Sequence, residues 1–169
     1  MATPTTLPAA FVSGAVLTAD QMNNLRGAFR VLQVVSSTAT ANIQNNTSTY
    51  VDSGLSVTIT PQSSSSKILI IGSNSISKDN ANANSAASTR LVRGATTISQ
   101  ISQGICYTGT AIYNVNNDQF FYLDSPATTS ATTYKTQFAS TQNNVGVIVN
   151  INIGAGNQTS YIVALEISA

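Results

Sequence analysis

A chain of 169 residues suits one domain with a short appendage, and its 42% hydrophobic content is ordinary for a protein with a buried core. Only 8% of the residues are charged against a usual ~25%, and Ser, Thr, Asn, Gln and Ala fill the deficit, so the predicted surface is neutral and polar. A formal net charge of +1, with no basic run, gives no reason to expect nucleic acid, and no apolar stretch approaches the ~18 residues of a membrane span.

The opening MATPTTLPAAFVSG has neither a basic start nor a long apolar run, so it does not read as a secretory signal. Pro4 and Pro8 make residues 1–16 an extended arm. Thr18 followed by Gln21 has the form of a capping box, and Leu17 with Met22 fits a hydrophobic staple. Asp20 stands early and Arg26 and Arg30 late, as the helix dipole prefers. Met22, Leu25 and Phe29 share one helical face. One short N-terminal α-helix is therefore expected. So short a helix is marginal alone, and its apolar face must dock, either on its own domain or on a neighbouring protein.

From Val31 onward the period changes to two. Leu55, Val57 and Ile59 alternate with Ser and Thr as a half-buried strand stopped by Pro61, and residues 62–66 (QSSSS) form a loop. The run 67–71 (KILII) reads as a central strand covered on both faces. Residues 78–85 (KDNANANS) read as a surface loop. Segments 89–93 and 98–101 predict a hairpin around Gly94 and Ala95, with further strands at 105–113, 119–123, 132–140, 145–153 and 161–167. Strands recurring at this spacing predict a sandwich or barrel. Val145, Val147, Val149, Ile151 and Ile153 form one apolar face, and Tyr161, Val163, Leu165 and Ile167 repeat the pattern. Ile148, Ile162 and Ala164 make the opposite faces apolar too, which is unusual for a sandwich. Burial against identical copies and cover by loops both explain it.

The chain has no histidine, which removes His-based acid–base catalysis, Ser-His-Asp triads and His-containing zinc sites. The single Cys106, inside a strand-like segment, reads as a buried, inert thiol. Asp20, Asp52, Asp79, Asp118, Asp124 and Glu166 stand isolated, so a carboxylate pair for glycoside hydrolysis is not expected. No phosphate-binding glycine motif occurs, and residues 79–84 resemble a calcium loop only loosely. Neither a catalytic nor a metal site is predicted, and no cofactor. Tyr50, Tyr107, Tyr113, Tyr122 and Tyr134 offer rings for glycan stacking, although core packing is the commoner fate in strands.

Residues 31–35 (VLQVV), 49–61 (TYVDSGLSVTITP), 65–70 (SSKILI), 90–98 (RLVRGATTI), 122–135 (YLDSPATTSATTYK) and 162–167 (IVALEI) resemble a domain common in tailed-phage virion proteins. Residues 11–23 (FVSGAVLTADQMN) resemble the N-terminal attachment regions of phage fibres and head-surface proteins. The resemblance implies an all-β fold, a jelly-roll-like antiparallel β-sandwich, homotrimeric as in tumour-necrosis-factor-like folds, on the virion exterior. It implies an attachment segment over residues 1–30, with Leu17, Met22, Leu25 and Phe29 gripping a tail, portal-adaptor or capsid protein, and a trimerising sandwich over 31–169. The absence of a shaft leaves a short tail fibre, with host-surface glycan binding, beside a capsid decoration (cement) protein. A small carbohydrate-active enzyme or lectin-like module is the remaining class. Exposed binding loops are expected around Lys78, Asp79 and Asn82, Asn116 and Asp118, and Asn157 and Gln158, because binding surfaces favour loops on a rigid scaffold.

Overall fold

The computed structural model describes residues 30–79, 83–142, 145–152, 154 and 156–168, with 14, 16, 18 and 19 in addition. The expected helix falls almost wholly outside them. The described elements are all strands: β1 (Val31–Ala39), β2 (Ile43–Asn45), β3 (Val51–Ile59), β4 (Lys67–Lys78), β5 (Ser85–Arg93), β6 (Thr96–Thr108), β7 (Asn114–Asp124), β8 (Thr132–Ser140), β9 (Val147–Val149) and β10 (Ser160–Ile167).

Every pairing is antiparallel. In the first sheet β4 is central, with β7 along one side; β10 and then β9 share its other side, flanked by β1 and β2. β2 thus continues the line of β1, and β9 that of β10, so the sheet is four strands wide. The second sheet has the order β3-β8-β5-β6. Chain neighbours repeatedly lie in opposite layers. This is the jelly-roll arrangement of two interleaved Greek keys.

Alternation puts Leu55, Val57 and Ile59 of β3, Ile68 and Ile70 of β4, Leu91 of β5, Tyr134 of β8, and Ile162 and Ala164 of β10 between the sheets as one apolar cluster. A second cluster, of Ile76, Ala87, Cys106, Phe138, Val147 and Val149, fills the other end. A buried polar belt separates them. Thr136 Oγ1 donates to Asn74 Oδ1 at 2.8 Å, Ser53 Oγ lies 2.6 Å from Thr136 Oγ1, and Asp118 Oδ2 accepts from Ser102 at 2.9 Å and from Thr89. Arg30 and Ser168, bonded to each other, lie at the end marked by Lys67; the loop between β6 and β7 lies at the opposite end, marked by Lys78.

Several strand expectations change. The run 67–71 is central but covered on one face only: Ile68 and Ile70 are buried, Leu69 is half-buried and Ile71 exposed. The expected strand 105–113 divides, because β6 continues to Thr108 and residues 109–113 form a loop. The strand expected over 145–153 shortens to Val147–Val149, since Asn150 turns into the left-handed region at φ 54°. The buried Asn150 side chain holds that break, donating to Ala41 O at 3.0 Å and accepting from Ser160 Oγ at 2.6 Å. In β10, where both faces read as apolar, the inward face is Ile162, Ala164 and Glu166, and Tyr161, Val163, Leu165 and Ile167 take the outer one.

Gly72 is fixed by close approach. A Cβ there would stand 2.5 Å from Phe120 Cζ and 2.6 Å from the Tyr161 carbonyl oxygen, and the backbone of β10 cannot retreat. Gly72→Ala is expected to cost roughly 1–3 kcal/mol as an overpacked core position, read as a lower urea midpoint with an unchanged slope.

Candidate interaction surface

The two outer faces of the sandwich differ in chemistry. Across β3, β8 and β5, residues such as Asp52, Thr58, Thr133, Lys135, Gln137 and Arg90 meet solvent in the polar manner usual for a sandwich. Asp52 accepts from Lys135 Nζ at 2.8 Å and from Gln137 Nε2 at 2.6 Å, and Arg90 lies 4.1 Å from the centre of the Tyr50 ring. Burial alone would raise the Asp52 pKa, but those two hydrogen bonds and the Lys135 charge hold it below the usual carboxylate range.

The outer face of the first sheet is apolar. One row across it reads Val34, Leu165, Leu69 and Leu123, and the next reads Ser36, Val163, Ile71 and Phe121. Only Ser36 interrupts them, and neither row contains a charge. Phe121 is 83% exposed, Val34 59%, Leu123 56% and Ile71 41%. Phe121 and Leu123 stand on β7, the edge strand, and Phe121 helps line a shallow hollow shared with Phe120, Leu69, Ile71, Gly72 and Tyr161. Lys67, bonded to Ser125 Oγ at 2.6 Å, follows in the register beyond one row, and Tyr161, Ser73 and Gln119 beyond the other. Further along β4 the same face is closed: Ser73 and Ser75 are buried, and Ser75 bonds Gln158 Oε1 and, through its N–H, Ser160 Oγ at 2.9 Å. Loop cover therefore accounts for this far half, while the two apolar rows remain open among the described residues.

The expected site residues do not gather. Leu17, Met22, Leu25, Phe29 and Asn82 lie outside the described residues. Lys78, expected in an exposed loop, is the last residue of β4 and fully buried; its ammonium is satisfied by Thr108 Oγ1 and by the carbonyls of Thr110 and Ile112, which draws it inward. Asp79 is buried too, accepting from Gln44 Nε2 at 3.2 Å, and Asp118 belongs to the internal polar belt of β7. Asn116 is exposed but sits in β7, not in a loop. Asn157 and Gln158 are exposed, in the segment between β9 and β10, where Asn157 Nδ2 donates to Thr40 O at 2.7 Å. The open face was signalled by apolar residues of both parities in 67–71 and 161–167.

Among the described residues, the other carboxylates are each occupied structurally. Asp124 accepts from Arg93 at 2.8 Å and from Tyr134 Oη at 2.7 Å; burial and that carboxylate push the Tyr134 phenol far above its ordinary pKa. Cys106 is buried, donates to Ile76 O at 3.3 Å, and burial pushes its thiol up. No cluster of three or more His, Cys, Asp or Glu side chains suited to a metal occurs among the described residues. Fully buried Glu166 accepts from the Gln62 N–H at 2.8 Å and from Gln33 Nε2 at 2.6 Å. Burial would raise its pKa, yet the donors around it hold the carboxyl below its ordinary value. A lowered folded-state pKa adds stability above the unfolded pKa and loses it as pH falls through the folded one. Glu166→Gln, which sets an amide donor against Gln33 or Gln62, is expected to cost about 1–2 kcal/mol at neutral pH. That deficit should shrink as pH drops through and below the ordinary carboxylate range, as read by urea melts at stepped pH.

Three solved structures overlap the chain, each covering 81% of it: an infectious bursal disease virus VP2 subviral particle (TM-score 0.44, 15% identity), the Gx strain of infectious bursal disease virus (0.46, 13%) and T=1 particles derived from infectious bursal virus (0.44, 12%). The chain spans only 36–38% of the length of those proteins. At these scores the likeness is too slight to bear on function. No protein-family model matches the chain, and no curated protein matches it in sequence.

Proposed function

We propose that the chain is a non-enzymatic structural protein of a tailed-phage virion, a homotrimer on the particle exterior built as a short tail fibre and held by residues 1–30 to a tail or portal-adaptor protein. The observation that carries the self-assembly is the open apolar face of β1, β10, β4 and β7. A contiguous apolar patch on one sheet, opposite a normal polar face on the other, marks a surface that is covered in the working state. A second copy is the fitting cover, because the patch carries no charge and a net charge of +1 opposes association only weakly. Phe121 projects from the edge strand and, with Gln119 and Phe120, forms the β7 wall of the hollow, so edge and hollow are one continuous apolar surface. The threefold ring follows the sequence resemblance, and it needs a heterologous contact whose rotation closes. The virion setting rests on the sequence resemblance over residues 11–23 and across the sandwich.

Electron cryo-microscopy of intact particles tests the placement. Trimeric density on the tail, lost when residues 1–30 are deleted, is the expected result. Density spread over the head lattice would replace the fibre by the decoration reading, and normal occupancy of the truncated protein would refute the anchor. Product release from host polysaccharide by the purified protein would refute the non-enzymatic reading.

A further inference from the structure

The end of the sandwich remote from Arg30 and Ser168 carries a second exposed apolar group that the assembly face does not use. Tyr107 is 59% exposed, Ile112 53% and Tyr113 43%, all in or beside the loop joining β6 to β7. Seven residues of β4 separate Ile71 from Lys78, roughly 23 Å at strand rise, so this tip is distinct from the assembly face. The loop is firmly held. Beneath it the buried Lys78 ammonium binds Thr108 Oγ1 and the carbonyls of Thr110 and Ile112, and from the side the Asn84 N–H donates to Thr108 O at 2.9 Å. Desolvating an ammonium is costly, and a plain connector between two strands has no need of one.

We propose that this tip is a binding site for a neutral glycan. The exposed rings offer the negative π faces that attract the polarised C–H faces of a sugar. Side-chain amides stand beside Tyr107: its Oη donates to Asn84 Oδ1 at 3.0 Å, Asn114 Nδ2 donates to Tyr107 O at 3.4 Å, and Gln142 Nε2 donates to Asn84 O at 2.9 Å. Amides donate to and accept from hydroxyls without selecting charge. The lysine at this end is turned inward, so nothing described here favours a sialylated or sulfated glycan. A loop already held in place loses little further freedom on binding. The site deepens the fibre reading by giving the end away from the attachment segment a ligand class, but its chemistry stands without that reading.

The test passes the full-length protein over immobilised glucosyl, galactosyl, mannosyl, rhamnosyl and N-acetylglucosaminyl oligosaccharides, with sialylated oligosaccharides and heparin as the charged arm. Wild type is expected to bind at least one neutral member and to ignore the charged arm. Tyr113→Ala, which removes no hydrogen bond described here, is expected to weaken binding at least tenfold, and Tyr107→Phe, which keeps the ring, to retain it. No neutral binding at millimolar sugar, binding confined to the charged arm, or undiminished binding by Tyr113→Ala would overturn the site. If both tyrosine variants misfold, Ile112→Ser replaces them with the same expected loss. A trimer that takes its place on particles yet binds no neutral glycan refutes this site and leaves the assembly reading intact.

Discussion

Replacing Ile71 and Phe121 together by Asp is expected to turn the assembled protein into a folded monomer. Both side chains point away from the core, so the sandwich loses none of its internal packing. Covering a phenylalanine as exposed as Phe121 is worth about 2–3 kcal/mol per subunit, and carboxylates set into a charge-free contact add a desolvation penalty. A loss of ~3 kcal/mol alone raises a dissociation constant about a hundredfold, and in the proposed trimer the loss repeats at each contact. Light scattering should show the change in mass, while circular dichroism and the urea midpoint of the monomer show that the fold survives. The control is Asp52→Ala with Lys135→Ala on the other outer face, an exposed pair whose loss should change stability by less than ~1 kcal/mol and leave the mass untouched.

Asp124→Ala is expected to give the largest loss of stability of any single substitution considered, about 3 kcal/mol. Asp124 is buried at the end of β7 and joins Arg93 of β5 to Tyr134 of β8, so one carboxylate ties the two sheets together. Without it the Tyr134 hydroxyl is left in a fully buried position with no acceptor, while the partly exposed Arg93 turns to water. Urea denaturation at neutral pH should show the full loss, with Asp124→Asn in between because the amide oxygen still accepts from Tyr134. The same change should weaken the assembly, since β7 carries Phe121 and Leu123 at the edge of the open face. A variant that kept its stability would mean the two sheets are held together without this bridge.

The alternation of Leu55, Val57 and Ile59 was sufficient to place β3, because polar and apolar residues there separate cleanly onto two faces, and residues 132–140 and the Gly94–Ala95 turn also lie where the sequence put them. In β10 period two cannot choose a side, as both faces are apolar; the side is set by packing, with small Ala164 and Ile162 fitting the core and Glu166 meeting Gln33 and the Gln62 backbone. β4 was longer than its sequence suggested. Lys78 was read as part of a loop, yet Asn74, Ser75, Ser77 and Lys78 find partners in distant parts of the chain, which no local pattern can announce. Apolarity on both faces of the strands left copies and loop cover as equal explanations, and the fold gives loop cover to one part: residues beyond β9 bond Ser75, while Ile71 and Phe121 are exposed among the described residues. The exposed tyrosines of the tip were visible only as tyrosines. Tyr113 stands on a loop that the sequence read as a strand, while Tyr107 lies near the end of β6.

Sedimentation equilibrium of the full-length wild-type chain over a broad concentration range tests the assembly most directly. The proposed homotrimer predicts a single species at three times the chain mass of 17.6 kDa, persisting to the lowest concentrations measured. A species at one chain mass at the highest concentrations, with Ile71 and Phe121 protected from solvent within that monomer, would show that the face is covered by its own chain and would contradict the account.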